Sequence, residues 1–392
     1  MRKIATVTVA VLTALAVLGF IYREEAAHLF ATLSLFDEDR IVENFSAMDT
    51  LFESRPVPVG EASAPLPGEP VALPRSVEAA GRTVDVRDFL EASRTTSLVV
   101  LRGGEVVHEF YGEGTRPDDR RISWSMAKSV LSLGVGVAVE RGLLDLDRTV
   151  DSYVPTLADS AYRGVTVRQA LRMSSGVRFD EDYLAFFSDI NRMGRTLALG
   201  GSMDEFAASV DERERAAGTA RQYVSIDTHV VAMVLRAATG RTLPQWIGET
   251  ILQPLGIGGA PYYVTDGEGV AFALGGLNMT TRDYARIGQM VLDKGKANGA
   301  RIVPEEWIEE STVVSAEPPE EADGFGYGYQ WWIPDDTEGV ALARGVYGQY
   351  IWIDRPRGVV IVKTSGDRAF REAERVADTL ALLEGLANAV AQ

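Results

Sequence analysis

Ser125 and Lys128 stand three residues apart in Arg121-Ile122-Ser123-Trp124-Ser125-Met126-Ala127-Lys128-Ser129-Val130. This S-x-x-K pair heads an apolar run (Val130, Leu131, Leu133, Val135, Val137, Ala138, Val139) that ends near Gly142. A run of that length closed by glycine predicts a buried helix with Ser125 in its first turn. Side chains three apart on a helix are neighbours, so the Lys128 amine can reach the Ser125 hydroxyl. A serine nucleophile with a lysine base needs that arrangement. The bare motif is a weak signal in a chain of 392 residues. Its setting adds weight: of Lys3, Lys128, Lys294, Lys296 and Lys363, only Lys128 is expected in strongly apolar surroundings. There a charged amine is costly unless paired or deprotonated. The plainer alternative is that Ser125 caps a surface helix and Lys128 snorkels from it.

Other chemistries have less support. The histidines are His28, His108 and His229, and Glu109 follows His108 without the second histidine of an H-E-x-x-H pair. No histidine metal site is expected, and no cofactor is called for. There is no G-x-S-x-G elbow for a Ser-His-Asp hydrolase. The chain lacks cysteine, which excludes thiol catalysis and disulfides. Nucleophilic chemistry here has to proceed without histidine, which returns attention to Ser125 and Lys128.

Arg221-Gln222-Tyr223-Val224-Ser225-Ile226-Asp227-Thr228 precedes a second apolar helix that closes at Gly240. Tyr223 there is either a ring that staples the helix start or a proton carrier beside a lysine-activated serine. Lys363-Thr364-Ser365-Gly366 is similar to a K-T-G strand motif but falls one strand too late, and reads as a strand end. Gly345-Val346-Tyr347-Gly348-Gln349 is the better candidate for the active-site strand, its glycines letting a substrate approach the backbone.

The elements that must position these residues can be read coarsely. Ser97–Arg102 and Glu105–Tyr111 are strands joined by Gly103-Gly104, a two-residue hairpin signal. Helices dominate from the Ser125 segment to about Asp293, with loops at 145–163, 173–195 and 261–276. Phe325–Ile333, Gly345–Ile353 and Val359–Thr364 read as strands, and Arg371–Ala391 as an amphipathic helix. The expected fold is α+β: an antiparallel sheet flanked by helices, with a helical insertion at about 130–293.

Composition is ordinary and globular, 46% hydrophobic and 24% charged. A formal net charge of -17 repels phosphate backbones, so no nucleic-acid partner is expected. Arg2 and Lys3 precede an apolar run from Ile4 to Tyr22, whose nineteen residues would span about 28 Å as a helix. It reads as a membrane-spanning signal anchor over 1–22 with the remainder extracytoplasmic, or as a cleaved signal peptide of a secreted protein. Residues 23–74 form a juxtamembrane segment and a Pro-rich stretch (Arg55 to Pro74), an extended linker or wrapping arm. The folded domain is expected over 75–392.

Taken together, the chain resembles the serine hydrolases of the β-lactamase and penicillin-binding fold, and within them the 6-aminohexanoate-dimer hydrolase (nylon-oligomer hydrolase) and esterase group. The resemblance runs from about Arg75 to the C-terminus, with a fainter trace through Val42 to Phe52. It rests on Ile122–Ser129, Gly164–Gly176, Tyr223-Val224-Ser225, Arg282-Asp283-Tyr284-Ala285-Arg286 and Gly345–Gln349. It implies Ser125 as nucleophile, Lys128 as base partner and Tyr223 as proton carrier of a Y-x-N/S element with Ser225. It further implies that the backbone N–H groups of Ser125 and Val346 form the oxyanion hole. Tyr183 matches a mobile loop tyrosine over the substrate, and Trp331 or Trp332 would line the pocket with Tyr347 and Gly348. The implied activity is hydrolysis of small amides or esters through an acyl-enzyme. Val346-Tyr347-Gly348 stands where β-lactamases carry K-T-G or H-x-G, which argues against the alternative of a penicillin-interactive carboxypeptidase or β-lactamase. A non-catalytic sensor on the same fold is the third reading.

Overall fold

The computed structural model describes residues 34–391 apart from 113, 320 and 322. Its centre is a seven-stranded antiparallel sheet in the spatial order Phe325–Tyr327, Trp332–Pro334, Val340–Gly345, Gln349–Asp354, Val359–Ser365, Thr95–Arg102, Glu105–Tyr111. Side chains alternate between its faces, as strand geometry requires. Leu98, Val100, Leu342, Trp352 and Ile361 face one core, which the helix Ala373–Ala391 covers. Val99, Leu101, Ala343, Ile351 and Val362 face the larger core, shared with the helices Met126–Glu140, Ser225–Thr239 and Thr281–Leu292. The mixed α+β architecture and the helical layer between the two groups of strands agree with the sequence reading.

The Gly103-Gly104 hairpin forms as expected, both residues at positive φ. Two late strands do not. Phe325–Ile333 is a pair of three-residue strands, because Gln330 takes φ +65 and turns the chain back between them. Gly345–Ile353 is likewise interrupted: Gly345 ends one strand, Gln349 starts the next, and Val346–Gly348 is the turn. A second, four-stranded sheet was not anticipated. It joins Ser54–Pro56, Tyr262–Val264, Leu277–Met279 and Arg121–Ile122, strands too short for periodicity to show.

The stretch before Arg75 lies along the domain. Phe45 O accepts from Ile122 N–H at 3.1 Å, Val57 N–H donates to Pro261 O at 2.8 Å, and Val71 N–H donates to Val107 O at 2.9 Å.

The membrane expectation is corrected. Among the described residues no helix is long and apolar enough to cross a membrane. The longest described helix, Ala373–Ala391, is amphipathic: Leu382 and Leu386 pack on the sheet, and Glu374, Arg375, Asp378 and Glu384 interrupt its apolar character. The Ile4–Tyr22 run lies outside the described residues. The anchor, and the extracytoplasmic placement that depended on it, therefore find no counterpart in the fold.

Candidate active site

Ser125 is the N-cap residue of the helix Met126–Glu140, one position before the first turn, and its side chain makes no capping hydrogen bond. The hydroxyl is thus free of the duty that the plainer reading assigned it. Trp124, immediately before it, holds φ +43, a left-handed conformation that costs a bulky residue about 1–3 kcal/mol. The helix start fixes Ser125 at this bend: Ser123 N–H donates to Leu277 O at 2.8 Å and Lys128 N–H to Ser125 O at 3.1 Å.

Lys128 does not snorkel. It is 1% exposed, its Nζ donates to Ser225 O at a long 3.5 Å, and it stands 5.2 Å from the centroid of the Tyr223 ring. Burial lowers the amine to about 7, while the Glu181 and Asp227 carboxylates pull the other way. Tyr223 lies at the start of the helix Ser225–Thr239 with its ring stacked on Trp332, centroids 5.3 Å apart. Burial and the Glu181 charge raise its hydroxyl well above the ordinary value, so it stays protonated, while hydrogen bonds with Ser125 and Ser225 oppose that rise. The ring stacks on Trp332, and Ser125 is among the groups that influence its hydroxyl.

Val346 follows the strand Val340–Gly345 into the turn that faces Ser125. A Cβ on Gly345 would fall 2.7 Å from Ser123 O and 3.1 Å from Ser125 N. The missing side chain therefore admits the backbone of the helix start, where a substrate was expected. Gly348, at φ +84, would with a Cβ meet Ser365 Oγ at 2.8 Å and Lys363 Nζ at 3.3 Å. Only glycine suits it on both counts. Trp331 and Trp332 diverge: Trp331 is fully buried in the larger core, and Trp332 lies against Tyr223. Tyr183 donates to Glu181 Oε2 at 3.1 Å and meets Phe370 edge-on at 6.4 Å. Tyr347 stacks on Phe36 at 4.9 Å.

Three groups escaped the sequence reading. Glu181 accepts from the Ser225 N–H, from Ser225 Oγ at 3.1 Å and from Tyr183, and burial raises its carboxyl. Asp227 is fully buried, accepts from Tyr162 at 2.7 Å, and is pushed up to about 7 by burial. Lys363 is the second fully buried lysine, so Lys128 is not alone in an apolar setting. Its amine donates to Ser365 Oγ, and burial lowers it to about 7. Glu181-Asp182-Tyr183 was singled out for its tyrosine alone. Tyr183 is the glutamate's partner nearby in sequence, and Ser225, which donates to it twice, comes from a distant helix.

The arrangement sets a half-buried hydroxyl and a half-buried, protonated phenol near a fully buried, near-neutral amine. Comparison with known proteins gives the family. The family described as Beta-lactamase matches residues 85–385. The 6-aminohexanoate-dimer hydrolase of Paenarthrobacter ureafaciens is 32% identical over 311 residues, 76% of this chain and 79% of that protein. A Bacillus anthracis structure provisionally described as a 6-aminohexanoate-dimer hydrolase superposes with TM-score 0.82 over 91% of this chain and 96% of its own, at 24% identity. A family VIII carboxylesterase gives TM-score 0.60 over 77% and 96%, at 17% identity. At those identities the two structures share the fold.

Proposed function

The chain belongs to the beta-lactamase family of hydrolases, and we propose that it cleaves small amides or carboxyl esters through an acyl-enzyme on Ser125. The observation that carries this reading is the Lys128 amine, fully buried and lowered to about 7 in the first turn after Ser125, with the Tyr223 ring centroid 5.2 Å away. A neutral amine can take the Ser125 proton near physiological pH, whereas a solvated lysine near 10.4 cannot. Ser125 Oγ then attacks the carbonyl carbon. The backbone N–H groups of Ser125 and Val346 hold the resulting oxyanion. Tyr223 gives a proton to the departing amine or alkoxide and regains one from the Lys128 ammonium. Water releases the acyl group by the reverse path. The hydrolase domain is proposed over 75–392 with its helical insertion at about 130–293, and Ser225, Tyr183, Trp332, Tyr347 and Gly348 as the substrate's surroundings.

The test is covalent labelling. A fluorophosphonate should modify Ser125, located by peptide mass spectrometry, and Ser125→Ala should abolish both labelling and ester turnover with the fold retained. Modification of a different serine, or full turnover by Ser125→Ala, would overturn the assignment.

A further inference from the structure

A cavity of ≈ 400 Å³ adjoins the cluster, within the about 300–1,000 Å³ usual for small-molecule sites. Trp124, the residue before Ser125, lines it, as does Tyr183, whose hydroxyl bonds Glu181. The other walls include Phe36, Met48, Ile122 and Phe272. The cavity's one charged lining residue among the described residues, Arg195, is already engaged: the guanidinium donates to Phe186 O at 2.6 Å and lies 4.3 Å over the Phe186 ring. Its one side-chain amide, Asn191, is spent on the carbonyls of Tyr183 at 3.0 Å and Ala185 at 2.9 Å. Among the described residues no carboxylate lines the cavity. At its rim the loop after Tyr183 presents Leu184 at 89% exposure and Phe186 at 64%, large apolar surfaces of the kind that mark binding sites.

We infer that this cavity is the acyl pocket and that it takes uncharged, apolar acyl chains. The inference rests on the Ser125 reading above. Tyr223, which serves the leaving group, rests on Trp332, and neither lines this cavity. The cavity is thus distinct from the Tyr223–Trp332 wall, where the leaving group is placed. An aliphatic chain placed there gains about 0.8 kcal/mol per buried methylene, close to fourfold each. An ammonium at the chain's end would be desolvated with no counter-charge. The pocket selects against a cationic acyl group as well as for an apolar one.

The experiment is a series of p-nitrophenyl esters on the full chain: acetate, butyrate, hexanoate, octanoate and 6-aminohexanoate. The expected result is a kcat/KM that rises about tenfold or more from acetate to hexanoate. The hexanoate should exceed the equally long but cationic 6-aminohexanoate by about tenfold or more. A flat chain-length profile, or an amino ester hydrolysed as well as hexanoate, would overturn the inference. Gly194→Phe places a ring at the cavity wall from a helical position whose Cβ meets nothing within 4 Å. Its hexanoate-to-acetate ratio should fall at least about tenfold, and an unchanged ratio in the folded variant would count against the pocket. If that variant fails to fold, the unmodified chain's series decides. Acetate turnover that survives Ser125→Ala sinks the nucleophile assignment. Acetate turnover lost in Ser125→Ala, with no chain preference in the unmodified chain, sinks the pocket alone.

Discussion

Gln349 and Ser365 grip each other reciprocally: Gln349 Nε2 donates to Ser365 O at 2.7 Å, and Ser365 N–H donates back to Gln349 Oε1 at 3.1 Å. The same Nε2 reaches Val346 O at 3.2 Å and Tyr347 O at 3.1 Å. Ser365 Oγ donates to Gly348 O at 3.0 Å and accepts from Lys363. The turn that presents the Val346 N–H is therefore trussed to a neighbouring strand by buried side chains.

Gln349→Leu keeps the volume and removes the truss. Loss of one oxyanion donor costs about 10²–10³ in kcat. A loosened donor should cost about tenfold to a hundredfold, with KM changed less than about threefold. Steady-state kinetics on an ester reads the split. A variant with wild-type kcat and only a lower melting temperature would mean that the truss serves stability alone.

Gly345→Ala tests the other support of the same hole. The new methyl would meet the Ser123 carbonyl at 2.7 Å and the Ser125 nitrogen at 3.1 Å, both backbone atoms that cannot swing away. The strand must back off from the helix start, which widens the gap between the two donors. We expect kcat/KM to fall about a hundredfold or more while circular dichroism stays native. Undiminished activity would place the oxyanion elsewhere.

The pH profile reports the Lys128 amine. The base works deprotonated, so kcat/KM should climb about tenfold per pH unit below 7 and level off above it. Burial lowers the amine and Glu181 raises it. Glu181→Gln removes a carboxylate that favours the charged amine, and the acid limb should move to lower pH. A limb that moves up, or a rate still rising at pH 9, contradicts the assignment.

Tyr223→Phe retains the stack on Trp332 and removes only the hydroxyl. General acid–base groups contribute about 10²–10⁴-fold. The loss should be that large on an amide and smaller on a p-nitrophenyl ester, because an amine must be protonated to leave. Equal losses under about tenfold on both substrates would leave Tyr223 a packing residue.

Much of the site was legible because its chemistry sits on local patterns. Ser125 and Lys128 share one helix, Tyr223 heads another, and the Gly103-Gly104 hairpin carries its own turn signal. What was hidden depends on pairing across the chain. Lys363 looked like a polar strand end, yet its strand is buried on both faces between Gln349–Asp354 and Thr95–Arg102, and alternation cannot reveal a buried amine there. Glu181 acquires its role only when Ser225 and Lys128 come to it. Gly345 was marked as special correctly and for the wrong neighbour. The family resemblance proposed positions, and the packing showed what Gly345 and Gly348 make room for.

The aromatic contacts around the helix start set an order of events during synthesis. Phe45 meets Trp124 at 5.4 Å and Tyr347 at 5.4 Å, so rings far apart in the sequence pack together beside the helix start and the Val346 turn. A ribosome adding about 5–20 residues per second makes the first of these rings on the order of tens of seconds before the last. From the synthesis of Ser125 until that of Val346, the helix start lacks the turn that packs against it. On the function proposed above, the nascent chain carries an unarmed nucleophile until the Val346 turn has been made.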